Sequence, residues 1–280
     1  MGMRALIETR NPCFKKGGVM ARGLYVVQAG TQGPALVLLH GQAGNGEVWR
    51  PLIDAIGADW PGRILAPDLR GHGRSPHARH YGFASQAADV ADLFERGERV
   101  VVLGHSMGAG VGLALATGWY GVHVAGLVGV GLKVAWRDEE LSKAAGLART
   151  PTRWFERRED AVARFLKVSG LEGLLPEDHP AVAAGVAEDG SPGPAGRFRL
   201  AADIATSLAA GPDVKAMRRA AACPTWFASG SEDAMVPAAD LRELDPDGFV
   251  FGGLGHNPHV QDPAALWAYA GPRLKPLLAG

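Results

Sequence analysis

Cysteine is scarce in this chain. Cys13 and Cys223 stand 210 residues apart, which makes neither a metal-ligand spacing nor a disulfide framework, so both are read as reduced thiols. A surplus of charge is also lacking. Lys+Arg 29 against Asp+Glu 29 gives a formal net charge of zero. No basic field is left to hold a phosphate backbone, so nucleic acid is not an expected partner. Residues Met1 to Cys13 contain no apolar h-region; no signal peptide is read, and the expectation is a cytoplasmic protein. One long uncharged run does occur. Met107 to Leu132 holds 26 residues without Asp, Glu, Lys or Arg, enough to pass a length test for a membrane span. Eight glycines and His123 interrupt it, and it is read as a buried helix followed by a buried strand, so no membrane is expected.

What is present points to a large globular domain or a domain carrying an insertion. The chain has 280 residues, 47% hydrophobic and 21% charged, near globular averages and far from wholesale disorder. Glycine is plentiful at 39 residues, about twice the usual share. It follows no collagen period, so it must serve turns and close backbone approaches.

Short apolar runs alternate with helical stretches, the pattern of βαβ units in a mostly parallel sheet with helices on both faces. The runs are Ala35–Leu39, Ile64–Ala66, Val100–Leu103, Val124–Val130, Thr225–Ala228 and Gly248–Phe251. Strands buried on both faces read as unbroken hydrophobic runs like these. Val19 to Val27 is expected to add one or two antiparallel edge strands. Glu47–Ile56 and Phe83–Phe94 carry apolar residues near a 3.6 period, as amphipathic helices do. Ala264–Leu278 reads as a terminal helix broken or kinked at Gly271-Pro272. Strand-like runs then stop between Val130 and Thr225. Lys133 to Asp213 carries most of the charge runs and a loop at 190–194. At that length it is an insertion rather than a plain loop. The expected division is a core of residues 1–132 and 214–280 with a helical cap of 133–213.

Gly104-His105-Ser106-Met107-Gly108 follows the run Val100–Leu103. A G-x-S-x-G pattern alone is weak, but here it closes a strand and opens a small-residue helix, the setting of a nucleophile elbow. A serine on such a corner has its hydroxyl clear of the sheet, and the positions two before and two after must be small. Serine needs a base to take its proton. His256, on the loop Gly252 to His259 after the last strand run, is the preferred candidate, with His259 its rival. The base needs an acid to hold its tautomer. Asp233, after the run Thr225–Ala228, fits that role, with Glu232 the neighbour to be told apart from it. The chain order Ser106, Asp233, His256 suits the arrangement. Two backbone N–H groups are expected to hold a developing oxyanion: that of Met107 and that of Gln42 in His40-Gly41-Gln42-Ala43-Gly44.

Together these residues resemble the α/β-hydrolase superfamily. The matching pieces are His40-Gly41, Asp68 to Ser75, Gly104 to Gly108, Gly230 to Asp233 and Gly255 to Pro263. The resemblance implies an eight-stranded, mostly parallel sheet with a helical cap, no metal and no organic cofactor, and a structural turn at Asp68–Ser75. Relatives that open epoxides or remove halides carry aspartate at the position of Ser106, so acyl transfer on small-molecule esters or lactones is expected. Alternatives are carbon–carbon bond hydrolysis or cyanohydrin cleavage on the same triad. A ligand receptor with slow or single turnover is an alternative of another class. An apolar pocket is expected; Leu132, Trp136, Trp154, Met235 and Val236 are candidates to line it, with ordinary core packing the competing reading for each.

Overall fold

A computed structural model describes residues 16–188 and 196–278. Cys13 and the loop anticipated at 190–194 lie outside these residues. The strands are β1 (Lys16–Ala21), β2 (Leu24–Ala29), β3 (Ala35–Leu39), β4 (Arg63–Pro67), β5 (Arg99–His105), β6 (His123–Val130), β7 (Val186–Glu188), β8 (Phe198–Leu200), β9 (Thr225–Gly230) and β10 (Phe249–Phe251). Between them run α1 (Arg50–Ile56), α2 (Phe83–Ala91), α3 (Met107–Ala116), α4 (Asp138–Leu147), α5 (Arg158–Val168), α6 (Pro180–Gly185), α7 (Val214–Ala220) and α8 (Ala238–Leu244). The short α9 (Pro258–Gln261) and α10 (Pro263–Leu274) follow the last strand.

Eight strands form one sheet in the order β1-β2-β4-β3-β5-β6-β9-β10. Pairing is parallel from β4 to β10, and β2 pairs antiparallel with both β1 and β4. The β1–β2 hairpin turns on Arg22 and Gly23, both at positive φ, the two-residue turn whose twist matches its strands.

The apolar runs are unbroken because both faces of the sheet are covered. Ala35, Val37 and Leu39 of β3 face the cluster that holds Val90 of α2 and Leu115 of α3. Leu36 and Leu38 face the cluster of Leu52 in α1 and Leu266 in α10. In β5, Val100 and Val102 divide from Val101 and Leu103 in the same way, as the two-residue period of a strand requires. Helix α3 is buried at every position, which explains why its sequence shows no polar face.

Local chemistry trims the expected helices. The Glu47–Ile56 stretch begins as a 3₁₀ turn (Gly46–Trp49), and the α-helix starts at Arg50 with Pro51 in its first turn, where a missing N–H costs nothing. At the C-terminus, α10 continues through Gly271-Pro272 to Leu274 and tightens into 3₁₀ over Lys275–Leu278. The helix is therefore not broken at Gly271-Pro272, the first of the two outcomes expected there.

The stretch between β6 and α7 holds α4, α5, α6 and a 3₁₀ turn (Ile204–Leu208). It also holds a small β7–β8 antiparallel pair that its sequence did not suggest. Its inner part is continuous with the core: Phe165 and Leu166 of α5 and Val182 of α6 lie in the same apolar cluster as Trp49 and Leu52. Helix α4, by contrast, has no buried residue. Among the described residues no helix is long and apolar enough to cross a membrane, and no group of three or more His, Cys, Asp or Glu is placed to hold a metal ion.

Candidate active site

Ser106 sits between the end of β5 and the start of α3 with φ 50° and ψ −117°. This is a left-handed conformation that non-glycine residues avoid, at a cost of about 1–3 kcal/mol. The neighbouring backbone pays for it with close packing. A Cβ on Gly104 would lie 2.6 Å from Gly108 O and Ala109 Cα, and one on Gly108 would lie 2.1 Å from Leu39 O. Both contacts are with backbone, so only glycine fits at either position. The Ser106 N–H donates to Val130 O at 2.8 Å, tying the corner to the end of β6. The hydroxyl is half-buried and makes no hydrogen bond among the described residues.

Asp233 follows β9 and is 4% exposed. One carboxylate oxygen accepts from the Met235 N–H at 2.9 Å and the Val236 N–H at 3.2 Å. The other accepts from His256 Nδ1 at 2.8 Å. In the neutral ring that bond calls for the proton on Nδ1, which leaves Nε2 with a lone pair, the tautomer of a base. Glu232 is exposed, and among the described residues only its backbone is engaged, its N–H donating to Leu254 O.

The His256 ring lies over Gly131, where an added Cβ would be 3.2 Å from its Cε1. It is 4.8 Å, centroid to centroid, from the ring of His105. His105 Nε2 donates to the His256 carbonyl oxygen at 2.7 Å. Burial and the neighbouring histidines hold the His105 pKa well below its usual value, so it is a neutral anchor for this loop. Its role was not legible in the sequence, where it reads only as the variable residue of the elbow. His259 packs between Trp49 and His105 at 4.6 and 4.4 Å. It is 1% exposed, and burial lowers its pKa to about 3. The structure thus brings His256, not His259, to Asp233.

Gln42 and Met107 flank the serine. Met107 is the first residue of α3, where an N–H has no intrahelical acceptor. The Gln42 N–H likewise donates to no acceptor among the described residues. The Gln42 side-chain amide meets the Thr206 hydroxyl at 2.7 Å; turned over, its oxygen accepts from that hydroxyl and from the Ser207 N–H at 3.3 Å while its NH2 donates to Thr206 O at 3.2 Å.

A cavity of about 350 Å³ opens on Ser106, Met107 and Gln42. Phe83, Leu132, Trp136, Leu147 and Met235 supply apolar walls, and Lys133, Glu140 and Lys143 a polar end. The Lys133 ammonium donates to Glu140 at 2.7 Å and lies 5.0 Å from the centre of the Trp136 ring. Two of the anticipated wall residues are elsewhere. Val236 is fully buried in the core cluster, where its backbone rather than its side chain serves the site. Trp154 is 38% exposed and stands 6.0 Å from the Arg199 guanidinium, outside this cavity.

The Asp68–Ser75 turn is structural in its contacts. Asp68, fully buried, accepts from Gly46 N–H at 2.6 Å and Arg74 N–H at 2.8 Å; burial raises its pKa against these bonds. His40 accepts from the Leu69 N–H at 2.9 Å through Nε2 and donates from Nδ1 to Gly41 O at 2.8 Å. This cross-link holds the Gln42 loop against the turn. Cys223 is half-buried, and burial pushes its thiol up to about 11, far from a reactive thiolate.

Residues 36–268 match the model of the alpha/beta hydrolase family, and the chain belongs to that family. It is 29% identical over 252 residues to a 2-succinyl-6-hydroxy-2,4-cyclohexadiene-1-carboxylate synthase of Enterobacter sp. (strain 638), a match covering 86% of this chain and 92% of that protein. Among solved structures it resembles an esterase of Mycobacterium tuberculosis, with TM-score 0.70 and 19% identity over 94% of this chain and 92% of that one. It also resembles an N-acyl homoserine lactonase, with TM-score 0.69 and 17% identity over 95% and 98%. The chain is therefore a hydrolase-family protein with the family's eight-stranded sheet.

Proposed function

We propose that this protein hydrolyses small-molecule carboxylic esters or lactones through an acyl-enzyme on Ser106. The observation that carries the reading is the His256–Asp233 hydrogen bond, taken with a serine held in a strained corner whose hydroxyl makes no hydrogen bond among the described residues. His256 Nε2 takes the hydroxyl proton as Oγ attacks the carbonyl carbon. The N–H groups of Gln42 and Met107 hold the oxyanion, and the imidazolium formed is stabilised by Asp233. His256 then protonates the leaving alkoxide. Water, deprotonated by the same ring, attacks the acyl carbon and frees the acid and Ser106. Residues 133–213 act in this reading as a cap that supplies pocket walls such as Trp136 and Leu147. An alkoxide leaves more readily than an amine, which places esters and lactones ahead of amides.

A relative over most of both chains is named a synthase rather than an esterase, which keeps open a second reading in which the same three residues serve a reaction other than ester hydrolysis, such as carbon–carbon bond cleavage. A short-chain p-nitrophenyl ester separates the possibilities. Sustained p-nitrophenol release that falls by about 10⁴–10⁶ in kcat in Ser106→Ala is expected. Equal turnover in that variant refutes the nucleophile. A single burst without turnover points to a receptor, and no release points to the second reading.

A further inference from the structure

Beside the Ser106 cavity lies a second one of about 450 Å³. Gln42, Leu147 and Ser207 line both, so the two chambers share a wall. The Gln42–Thr206 contact lies along that border. The second chamber has an unbalanced charge in a chain whose formal net charge is zero. Arg153, Arg164 and Arg199 line it, against the single carboxylate of Asp203 among its described walls.

Asp203 is already engaged. It accepts from the Tyr81 hydroxyl at 2.5 Å and the Ala205 N–H at 3.0 Å. None of the three arginines has a carboxylate partner among the described residues. Arg199 donates to the carbonyl oxygen of Leu200 at 2.9 Å, and Arg153 lies 4.9 Å from the centre of the Phe155 ring. Arginines just outside the chamber behave differently: Arg157 pairs with Asp160 at 3.3 Å and Arg197 with Glu156 at 3.7 Å. Arg164 and Arg199 are half-buried. Partly desolvated cations without counter-charge are costly unless something supplies it. Guanidinium groups suit planar or tetrahedral oxyanions, which accept paired N–H bonds.

We infer that this chamber is an anion subsite and that the substrate is an ester bearing a carboxylate or phosphate at the end remote from the scissile carbonyl. The inference rests on the Ser106 reading above for the reaction, though not for the binding. The reacting end sits in the largely apolar chamber, and the remote anion crosses the border lined by Gln42, Leu147 and Ser207 to reach the arginines.

The test is a p-nitrophenyl ester series of matched chain length, with acyl chains ending in a carboxylate, a phosphate or a neutral methyl ester. The expected result is a kcat/KM at least about 10-fold higher for an anionic chain, mainly through KM. In Arg164→Gln/Arg199→Gln the anionic-to-neutral ratio should fall to near one. Because the readout is a ratio within each protein, a partial loss of folded enzyme cancels. Preference for the carboxylate or for the phosphate identifies which oxyanion the site takes. Equal or better turnover of the neutral ester, or a preference that survives the double substitution, overturns the subsite. If no ester is turned over, the hydrolytic reading fails and the subsite is judged by binding. Adipate and inorganic phosphate are titrated calorimetrically into Ser106→Ala, with and without the two arginine substitutions. Heat that disappears with the arginines upholds the site, and no heat in either protein overturns it.

Discussion

Lowering the pH from 7 to 5 acts on the buried histidines of this fold with a sign that can be worked out in advance. Burial lowers the pKa of His72 from 6.5 to about 3, with the charge of His40 adding to the effect. Between those two values the unfolded chain binds a proton that the folded chain refuses. Acid therefore favours unfolding: the contribution of His72 to stability is full above about pH 6.5 and is lost as the pH falls toward 3. At pH 5 the deficit spans one and a half units, which at about 1.36 kcal/mol per unit is about 2 kcal/mol. His40, lowered to about 4, and His259, lowered to about 3, act in the same direction. Asp68, whose pKa burial raises, acts in the opposite one. Comparison with His72→Gln isolates the single histidine, since the other groups are common to both proteins. Urea unfolding at pH 7 and pH 5 should show the parent losing about 2 kcal/mol more than the variant over that interval. Equal losses in the two proteins would refute the assignment of His72 as a neutral buried ring.

Three further outcomes follow from the geometry of the site. Asp233→Asn should lower kcat for an ester substrate by about 10⁴, because the amide cannot hold the His256 tautomer, whereas the exposed Glu232→Gln should stay within about twofold; steady-state kinetics on both variants decide which carboxylate serves. Gly108→Ala forces a Cβ to within 2.1 Å of Leu39 O, so its thermal or urea midpoint should report a loss of at least about 1–3 kcal/mol, and an unchanged midpoint would show the elbow to be looser than its packing. His105→Phe removes the donor to the His256 carbonyl and should lower kcat with KM little changed, while a fall in stability alone would make His105 a packing residue.

Much of the core was legible because its physics is local. Strands β3 and β5 are buried on both faces, and so their sequences are unbroken apolar runs. Ser106, Asp233 and His256 each follow a strand of one parallel sheet, so the topology alone sends their loops to the same edge. What the sequence did not disclose depends on contacts between distant segments. The three-residue strands β7 and β8 are too short to show a period. The Gln42–Thr206 bond spans 164 positions, and nothing in either neighbourhood announces the other. Val236 and Met235 are adjacent and both apolar, yet one is buried in the core and the other lies on the cavity. That choice is made by the turn which hands two backbone N–H groups to Asp233.

The stretch after β6 is anchored to the core unequally along its length. Lifting α5 would bring Phe165 and Leu166 into water, at about 1.5–3 kcal/mol for each side chain, and would open the apolar cluster they share with Trp49. Helix α4 has no such ballast, and it carries Glu140, Lys143 and Leu147 along the rim of the Ser106 cavity. Displacing α4 would therefore expose no fully buried side chain of its own, whereas displacing α5 or α6 would break into the wall of the core itself.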